Sequence, residues 1–226
     1  MAGFLWLWHS IHPATTLPID FNDEGILNNL TETNLHQIWV SRRMMEDEDQ
    51  LYVVHFQRTA GIGPPITVVV KKFQNLDGLV DNDVESRSKL EMIMLAFLRH
   101  ENIINVLDVI QREEAVMLVY KYVVNGSLDY WLHRREGNAR ALSWPERMTI
   151  AIGVAQGLRH MHHGCRAPVV HHNITSNNIL LDQELNPKIS SFEVAQLNMA
   201  GLNQPLPIVD LHVGSFGYTA PGMVFV

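Results

Sequence analysis

The chain has 226 residues, 46% hydrophobic and 18% charged, which is typical of a globular protein with one large domain or two small lobes. Its formal net charge of -7 argues against nucleic acid as the main partner, because phosphate binding needs a basic face. The single cysteine excludes a disulfide framework within the chain and favours a reducing compartment.

The first 27 residues have weak periodicity and are interpreted as a leader or juxtamembrane-like segment. Their apolar run covers only residues 4–8. A membrane span needs about 20 apolar residues, and a signal peptide needs roughly 7–15 after a basic start. The sequence therefore predicts no membrane span in this chain. It predicts a cytoplasmic protein that would reach the inner face of the plasma membrane only through a partner.

The next part of the chain has the pattern of two hairpins and a helix. Residues 51–56 and 66–73 are rich in Val, Ile and aromatic side chains, and a Gly- and Pro-rich turn separates them. Apolar residues recur at helical spacing over 84–98. Two further apolar runs, 103–110 and 115–122, predict the second hairpin.

Helical patterns follow. Ser127 is a candidate cap for a short helix through His133. The segment 143–146, Ser-Trp-Pro-Glu, has the form of a capping box with a proline in the first turn, and it opens a long helix over 144–163. The predicted buried stripe of that helix is Ile150, Val154, Leu158 and Met161. Strands first and helices afterwards predict an α+β fold with two lobes.

Several motifs occur in a fixed order along the chain. They are VVVKK (68–72), KLEMIMLAFLRHENI (89–103), LVYKYVVNGSLDYWLH (118–133), HHNITSNNILL (171–181), KISSFEVAQL (188–197) and GSFGYTAPGM (214–223). Together they resemble the kinase domain of plant leucine-rich-repeat receptor-like serine/threonine protein kinases, over residues 20–223.

The resemblance implies a protein-kinase-like two-lobed fold. Residues 28–123 would form a β-rich N-lobe with one helix, and residues 124–226 an incomplete helical C-lobe that ends after the activation segment. It also implies ATP and Mg²⁺ as cofactors. Other signalling proteins, receptor-like kinases among them, would be the partners.

The resemblance assigns nucleotide-binding roles in both lobes. Lys71 would hold the phosphates, and Glu91 would fix that lysine in place. The remaining nucleotide positions are Val69, Tyr120, Tyr122, Val123 and Leu180. Val69 is bulkier than the alanine usual in the family, and residues 36–45 lack the family's glycines. Both changes disfavour ATP binding.

The catalytic and metal positions have lost their charges. Residues 171–173 read His-His-Asn where the family has His-Arg-Asp, so the proton-accepting aspartate is the amide Asn173. The catalytic-loop lysine is replaced by Thr175. Asn178 and Ser191 occupy the metal positions, and a neutral amide and a hydroxyl make a weak Mg²⁺ site. Leu95, His171 and Phe192 match the family's hydrophobic spine and are predicted to be core.

These observations predict a pseudokinase that acts as a signalling scaffold or regulatory binding module. Two alternatives stay open: an active ATP-dependent serine/threonine kinase with atypical site residues, and a truncated remnant without function. A third is a zinc site in the cluster of His160, His162, His163, Cys165, His171 and His172, although its spacing matches no structural zinc pattern.

Overall fold

The computed structural model describes residues 49–56, 66–74, 91–111 without 93 and 96, 115–133, 140–198, and 218. These residues fall into two compact units. The first, called the sheet unit, holds the described residues up to 74 and 105–122. The second, called the helical unit, holds 91–104 and the described residues from 123 onward. The leader predicted over 1–27 lies outside the described residues, and the predicted domain boundaries stay predictions.

The sheet unit is a four-stranded antiparallel sheet in the order β1-β2-β4-β3. The strands are β1 (Asp49–Phe56), β2 (Ile66–Gln74), β3 (Val106–Gln111) and β4 (Ala115–Lys121). Both predicted strand pairs are confirmed, although the turn over 57–65 lies outside the described residues. β3 begins later than predicted, because the backbone N–H of Ile104 donates instead to the carbonyl of Ile189, at 2.9 Å.

The two faces of the sheet carry different side chains. One face holds a buried apolar cluster of Val54, Val68, Val70, Ile110, Met117 and Val119. Since successive residues of a strand point to opposite faces, Val69, Lys71 and Phe73 of β2 share the other face. The register places Val69 between Val53 of β1 and Tyr120 of β4. Three of the candidate nucleotide residues of this unit, Val69, Lys71 and Tyr120, therefore lie on one face.

The helical unit combines helices with two small sheets. The described residues of 91–97 are helical, and α1 (Leu128–His133) and α2 (Trp144–Arg159) follow. A π-helical turn, His160–Gly164, continues α2, so the predicted helix over 144–163 is α-helical only to Arg159. The strands are β5 (Val169–Val170), β6 (Ile179–Leu181), β7 (Pro187–Ile189) and β8 (Gln196–Leu197). The α+β class is confirmed, with strands first and helices concentrated later.

Both predicted helix caps are present. The Oγ of Ser127 accepts a hydrogen bond from the backbone N–H of Tyr130 at 3.3 Å. The backbone N–H and the Oγ of Ser143 donate to the Glu146 carboxylate at 2.8 and 2.7 Å. These hydrogen bonds from Ser143 are the main reason that the pKa of Glu146 is lowered to about 2.

α2 packs closely against β7. Ile150 and Met161 of the predicted stripe are buried, whereas Val154 and Leu158 are half-buried. A Cβ added at Gly153 would lie 2.6 Å from Cγ of Pro187, and one at Gly157 would lie 2.8 Å from Cδ1 of Ile189. Glycine is therefore needed at both positions for this approach. Among the described residues, no helix is long and apolar enough to cross a bilayer.

Candidate active site

The candidate catalytic loop, 171–178, connects β5 to β6 within the helical unit. The segment 190–195 connects β7 to β8 in the same unit. β5 pairs with β8, and β6 pairs with β7, so both ends of the two connections are held side by side. The two small sheets therefore bring the loop next to the segment that contains Ser191.

His171 joins the two segments. Its Nδ1 accepts a hydrogen bond from the backbone N–H of Asn173 at 3.2 Å, and its Nε2 lies 3.0 Å from the carbonyl oxygen of Ser190. These partners assign the single proton of a neutral imidazole to Nε2. Burial lowers the pKa of His171 to about 4. The ring also meets Phe192 edge-to-face, with 4.7 Å between ring centroids. His171 is therefore a neutral packing residue of the loop.

Asn178 fixes the other end of the loop. Its Nδ2 donates to the carbonyl of Asn173 at 2.9 Å. The carbonyl of Asn178 accepts hydrogen bonds from the backbone N–H of Ser190 at 2.9 Å and from its Oγ at 3.0 Å. The structure thus brings the predicted residues Asn173 and Asn178 together, next to Ser191. Sequence analysis missed Ser190, since a serine after an apolar strand carries no distinctive signal.

Two residues of the site have a left-handed backbone. His172 has a φ of 63° and Ser191 a φ of 68°. A left-handed conformation costs an L-residue other than glycine roughly 1–2 kcal/mol. Backbone outliers of this kind concentrate at active sites, where the surrounding structure holds them in place. His172 and Ser191 are therefore strained positions that the surrounding structure holds in place.

Thr175, at the position of the catalytic lysine, is buried. Its carbonyl accepts the backbone N–H of Asn178 at 3.1 Å, but its Oγ1 has no hydrogen-bond partner. A buried hydroxyl without a partner typically costs about 1–3 kcal/mol. The side chain that replaces the lysine is therefore neutral and turned away from solvent.

The two metal positions do not fit Mg²⁺. This ion prefers an octahedral set of oxygens that includes one or two carboxylates. Asn178 and Ser191 offer an amide oxygen and a hydroxyl, both neutral. Glu193 has the nearest carboxylate in sequence, two residues after Ser191. Across the described residues, no group of three or more His, Cys, Asp or Glu side chains could hold a metal ion.

The zinc alternative receives no support from the positions of its residues. All six are described, and they contain no group of three that could hold a metal ion. His160 stacks on His100 with 5.0 Å between ring centroids, and its Nε2 lies 3.9 Å from Sγ of Cys165. Burial raises the pKa of the Cys165 thiol, which disfavours the thiolate that zinc needs.

The candidate nucleotide residues are divided between the units. In the sheet unit, Val69, Lys71 and Tyr120 are buried and Tyr122 is half-buried. Lys71 places its Nζ 4.7 Å from the centre of the Phe73 ring. In the helical unit, the buried candidates are Glu91, Val123 and Leu180.

Lys71 and Glu91 are 7% and 2% exposed, and neither is without a partner. Charged side chains are rarely so buried unless they are paired. This burial distinguishes both residues from ordinary surface charges. They belong to different units, and their pairing with each other stays a prediction.

A second polar network lies beside the loop and was missed by sequence analysis. The Oγ of Ser176 donates to Oδ1 of Asp129 and lies 2.8 Å both from that atom and from the hydroxyl of Tyr218. Asp129 also pairs with Nδ1 of His133 at 3.0 Å. Ser176 is far from Asp129 and Tyr218 in sequence, so no local pattern could have revealed the network.

An antiparallel sheet unit, a helical unit, and a His-x-Asn loop held beside a Ser-Phe-Glu segment define a protein-kinase-like domain. The family model described as "Protein tyrosine and serine/threonine kinase" matches residues 53–204. The chain belongs to this family.

Curated relatives specify the resemblance further. Leucine-rich repeat receptor protein kinase EMS1 of Arabidopsis thaliana is 38% identical over 131 residues, which are 58% of this chain and 11% of the relative. MDIS1-interacting receptor like kinase 1, from the same plant, is 40% identical over 132 residues, which are 58% of this chain and 13% of that protein.

Probable serine/threonine-protein kinase PBL21 of Arabidopsis thaliana is 36% identical over 154 residues, which are 68% of this chain and 39% of the relative. The chain therefore spans well under half the length of each of these relatives. The predicted resemblance to plant receptor-like serine/threonine kinases is confirmed, as is the kinase-type fold.

Proposed function

We propose that this chain is a pseudokinase: a kinase domain that does not transfer phosphate and serves as a signalling scaffold or regulatory binding module. The observation that carries the proposal is the loss of charged side chains in the catalytic loop and in the neighbouring segment 190–195. Asn173, Thr175 and Ser191 stand at three positions where phosphoryl transfer needs an aspartate, a lysine and an aspartate.

Each change removes a different part of the reaction. The amide of Asn173 cannot accept the proton of a substrate hydroxyl, and losing a general base typically costs 10²–10⁴-fold in rate. The buried hydroxyl of Thr175 cannot stabilise charge that develops on a transferred phosphate. These losses need not add, but residues 171–178 themselves contain no carboxylate that could replace the lost aspartate.

The retained features support a binding role. The loop is kept packed and hydrogen-bonded by His171, Phe192, Asn178 and Ser190. Such a network fixes the backbone conformation and does not require a catalytic side chain. A rigid, neutral loop is suited to contact with another protein.

Partners and location follow from the named relatives. Because two of the three named relatives are receptor or receptor-like kinases, we infer that the partners of this chain are other signalling proteins, receptor-like kinases among them. Its place would then be the cytoplasm, at the inner face of the plasma membrane when such a partner holds it there. Neither inference requires a membrane span in the chain.

The alternative of an active kinase rests on the retained Lys71, Glu91 and Asn178. It would need Mg²⁺ bound to a neutral amide and a neutral hydroxyl, which is a poor donor set for this ion. We therefore propose that the chain binds no nucleotide in a Mg²⁺-dependent manner.

The test combines a thermal melt with a phosphate-transfer assay. The melt is recorded with and without ATP, in Mg²⁺ and in EDTA. A ligand that binds only the folded state must raise the temperature of the unfolding transition. Labelled ATP and a generic protein substrate then report transfer. Lys71→Ala is the matched control, since any transfer by this chain would need the strand lysine.

We expect a cooperative unfolding transition whose temperature does not change when ATP and Mg²⁺ are added. We also expect no more phosphate transfer than the Lys71→Ala variant shows. Transfer that Lys71→Ala abolishes would establish the active-kinase alternative. An ATP-induced rise of the transition temperature that requires Mg²⁺ would show that Ser191 does not prevent metal binding. A chain without any cooperative transition would favour the remnant over the scaffold.

A further inference from the structure

Ser143 carries an exposed hydroxyl in an irregular segment of the chain. Residues 140–143 lie in neither a helix nor a strand, and α2 begins at the next residue. The backbone of Ser143 is extended, with a φ of -68° and a ψ of 162°. Ser127, which caps α1, is buried. Of these two capping hydroxyls, that of Ser143 therefore lies where another protein can reach it.

The charge pattern before Ser143 is one that serine/threonine kinases use to select substrates. An arginine three residues before the acceptor is a common signal, because its guanidinium can bind carboxylates of the kinase. Arg140 lies at this spacing, and its side chain is 62% exposed. In the whole sequence, no other Ser, Thr or Tyr has an arginine three residues before it. The pattern therefore distinguishes one hydroxyl of the chain from all others.

We propose that Ser143 is a phosphorylation site, modified by a serine/threonine kinase that recognises Arg140. A bond forms between Oγ of Ser143 and the terminal phosphorus of ATP, and the bond from that phosphorus to ADP breaks. The hydroxyl proton passes to the catalytic carboxylate of the modifying kinase. The step uses no residue of this chain's own catalytic loop, so it does not depend on the pseudokinase proposal.

Two guanidinium groups lie close to the acceptor. Arg140 pairs with the Glu146 carboxylate, which also accepts the hydrogen bond from Oγ of Ser143 at 2.7 Å. Nε of Arg147 donates to the carbonyl of Leu142, the residue before Ser143, at 3.0 Å. Arginine side chains bind phosphate through strong charge-assisted hydrogen bonds. A phosphate on Ser143 would therefore have two cationic partners close by.

Phosphorylation would also break the contact between Ser143 and Glu146. The phosphorylated Oγ has no proton to donate. The Glu146 carboxylate is ionised at neutral pH, since its pKa is lowered to about 2. A phosphoserine carries about -1.5 to -2 charge at pH 7, so the two groups repel each other. The phosphate would thus replace Glu146 as the partner of Arg140 and release the carboxylate from the cap.

The test is incubation of the folded chain with ATP and a purified kinase that selects arginine three residues before its acceptor serine. Mass spectrometry should find phosphate on Ser143. Ser143→Asn should abolish it and keep the fold, because asparagine caps a helix as well as serine does. Arg140→Gln should slow incorporation at least about tenfold, because it removes a charged contact with the kinase. Arg147→Gln is the matched control, since it removes an arginine that follows the acceptor.

The state of the phosphate tests its contacts. In ³¹P NMR, the phosphate should titrate at a lower pH in the folded chain than in the same modified chain in urea. Arg140 and Arg147 are the reason, because nearby cations favour the dianion. Equal titration in the two states would overturn the exchange of Glu146 for phosphate.

A folded chain that takes up no phosphate at Ser143 would overturn the proposal. Equal slowing by Arg140→Gln and Arg147→Gln would also overturn it, because the kinase would then not recognise Arg140. Incubation with ATP alone keeps the two proposals of function apart. Phosphate on the chain without an added kinase would contradict the pseudokinase proposal, whereas its absence there leaves uptake from the added kinase as the measure of this one.

Discussion

His171 and Asn173 show how single residues can keep the shape of a catalytic loop and remove its chemistry. An asparagine has almost the same shape as the aspartate that it replaces, but its amide has no useful basicity. His171 has both ring nitrogens engaged, one with a backbone N–H and the other with a carbonyl. Protonation of the buried ring would remove its acceptor and place an unfavourable charge in the core.

The pH dependence of stability should therefore report on His171. Its pKa is lowered to about 4 in the folded chain, mainly by burial, so between that pH and the ordinary value the unfolded chain binds more protons. Stability is then complete above about pH 6.5 and is lost as the pH falls towards 4. The full shift corresponds to about 3 kcal/mol. Chemical denaturation at a series of pH values measures this loss.

His171→Gln isolates the contribution, because an amide side chain can donate and accept but does not titrate in this range. Burial also lowers the pKa of His160, His162 and His172. The pH dependence of the wild-type unfolding free energy is therefore a sum over these histidines and His171. The exposed His163→Gln controls for loss of a histidine. If the unfolding free energy of His171→Gln falls with pH as steeply as that of the wild type, His171 is not the source of the pH dependence.

At the scale of elements, the position of α2 depends on two glycines without side chains. A glycine inside a helix costs about 1 kcal/mol relative to alanine, yet Gly153 and Gly157 both lie inside α2. Because these glycines lack a Cβ atom, the helix can lie close to Asn102 and β7. Asn102 is hydrogen-bonded to β7: its Nδ2 donates to the carbonyl of Pro187 at 3.1 Å, and its backbone carbonyl accepts the N–H of Ile189 at 2.8 Å.

Gly153→Ala should therefore destabilise the chain, although alanine is the better helix former. The new Cβ would lie 2.8 Å from Nδ2 of Asn102 and 2.6 Å from Cγ of Pro187, so one of them must move. Overpacking of this kind typically costs about 1–3 kcal/mol. Urea denaturation of the variant and the wild type gives the difference in unfolding free energy.

Thr149→Ala serves as the control, because Thr149 is exposed on the same helix and a surface substitution usually changes stability by less than about 0.5 kcal/mol. An unchanged or increased stability of Gly153→Ala would show that Pro187 yields without cost. The close approach of α2 to β7 would then not explain the glycine.

At the scale of the whole molecule, the net charge of -7 opposes the compact folded state weakly. Added salt screens the repulsion among these charges.

We therefore expect the melting temperature to rise modestly when salt is added at constant pH, because screening weakens the repulsion among the excess negative charges. Differential scanning calorimetry at matched scan rates makes the comparison. A melting temperature that stays the same or falls as salt is added would contradict this electrostatic contribution.

The sequence by itself determined the local elements and the chemistry of the loop. Both strand pairs and both helix caps depend on neighbouring residues, so periodicity and capping chemistry were sufficient to predict them. The ordered motifs were sufficient for the family, and the lost charges at residues 173, 175 and 191 are visible in the residue types alone.

The tertiary structure alone decided what depends on residues far apart in the chain. It showed that Ser190 bridges His171 and Asn178, that Ser176 bridges Asp129 and Tyr218, and that Ile104 leaves the predicted strand for Ile189. It also refined the buried side of α2. Ile150 is buried as periodicity predicted, but Val154 and Leu158 are only half-buried, and Gly153 and Gly157 contact Asn102 and β7 instead.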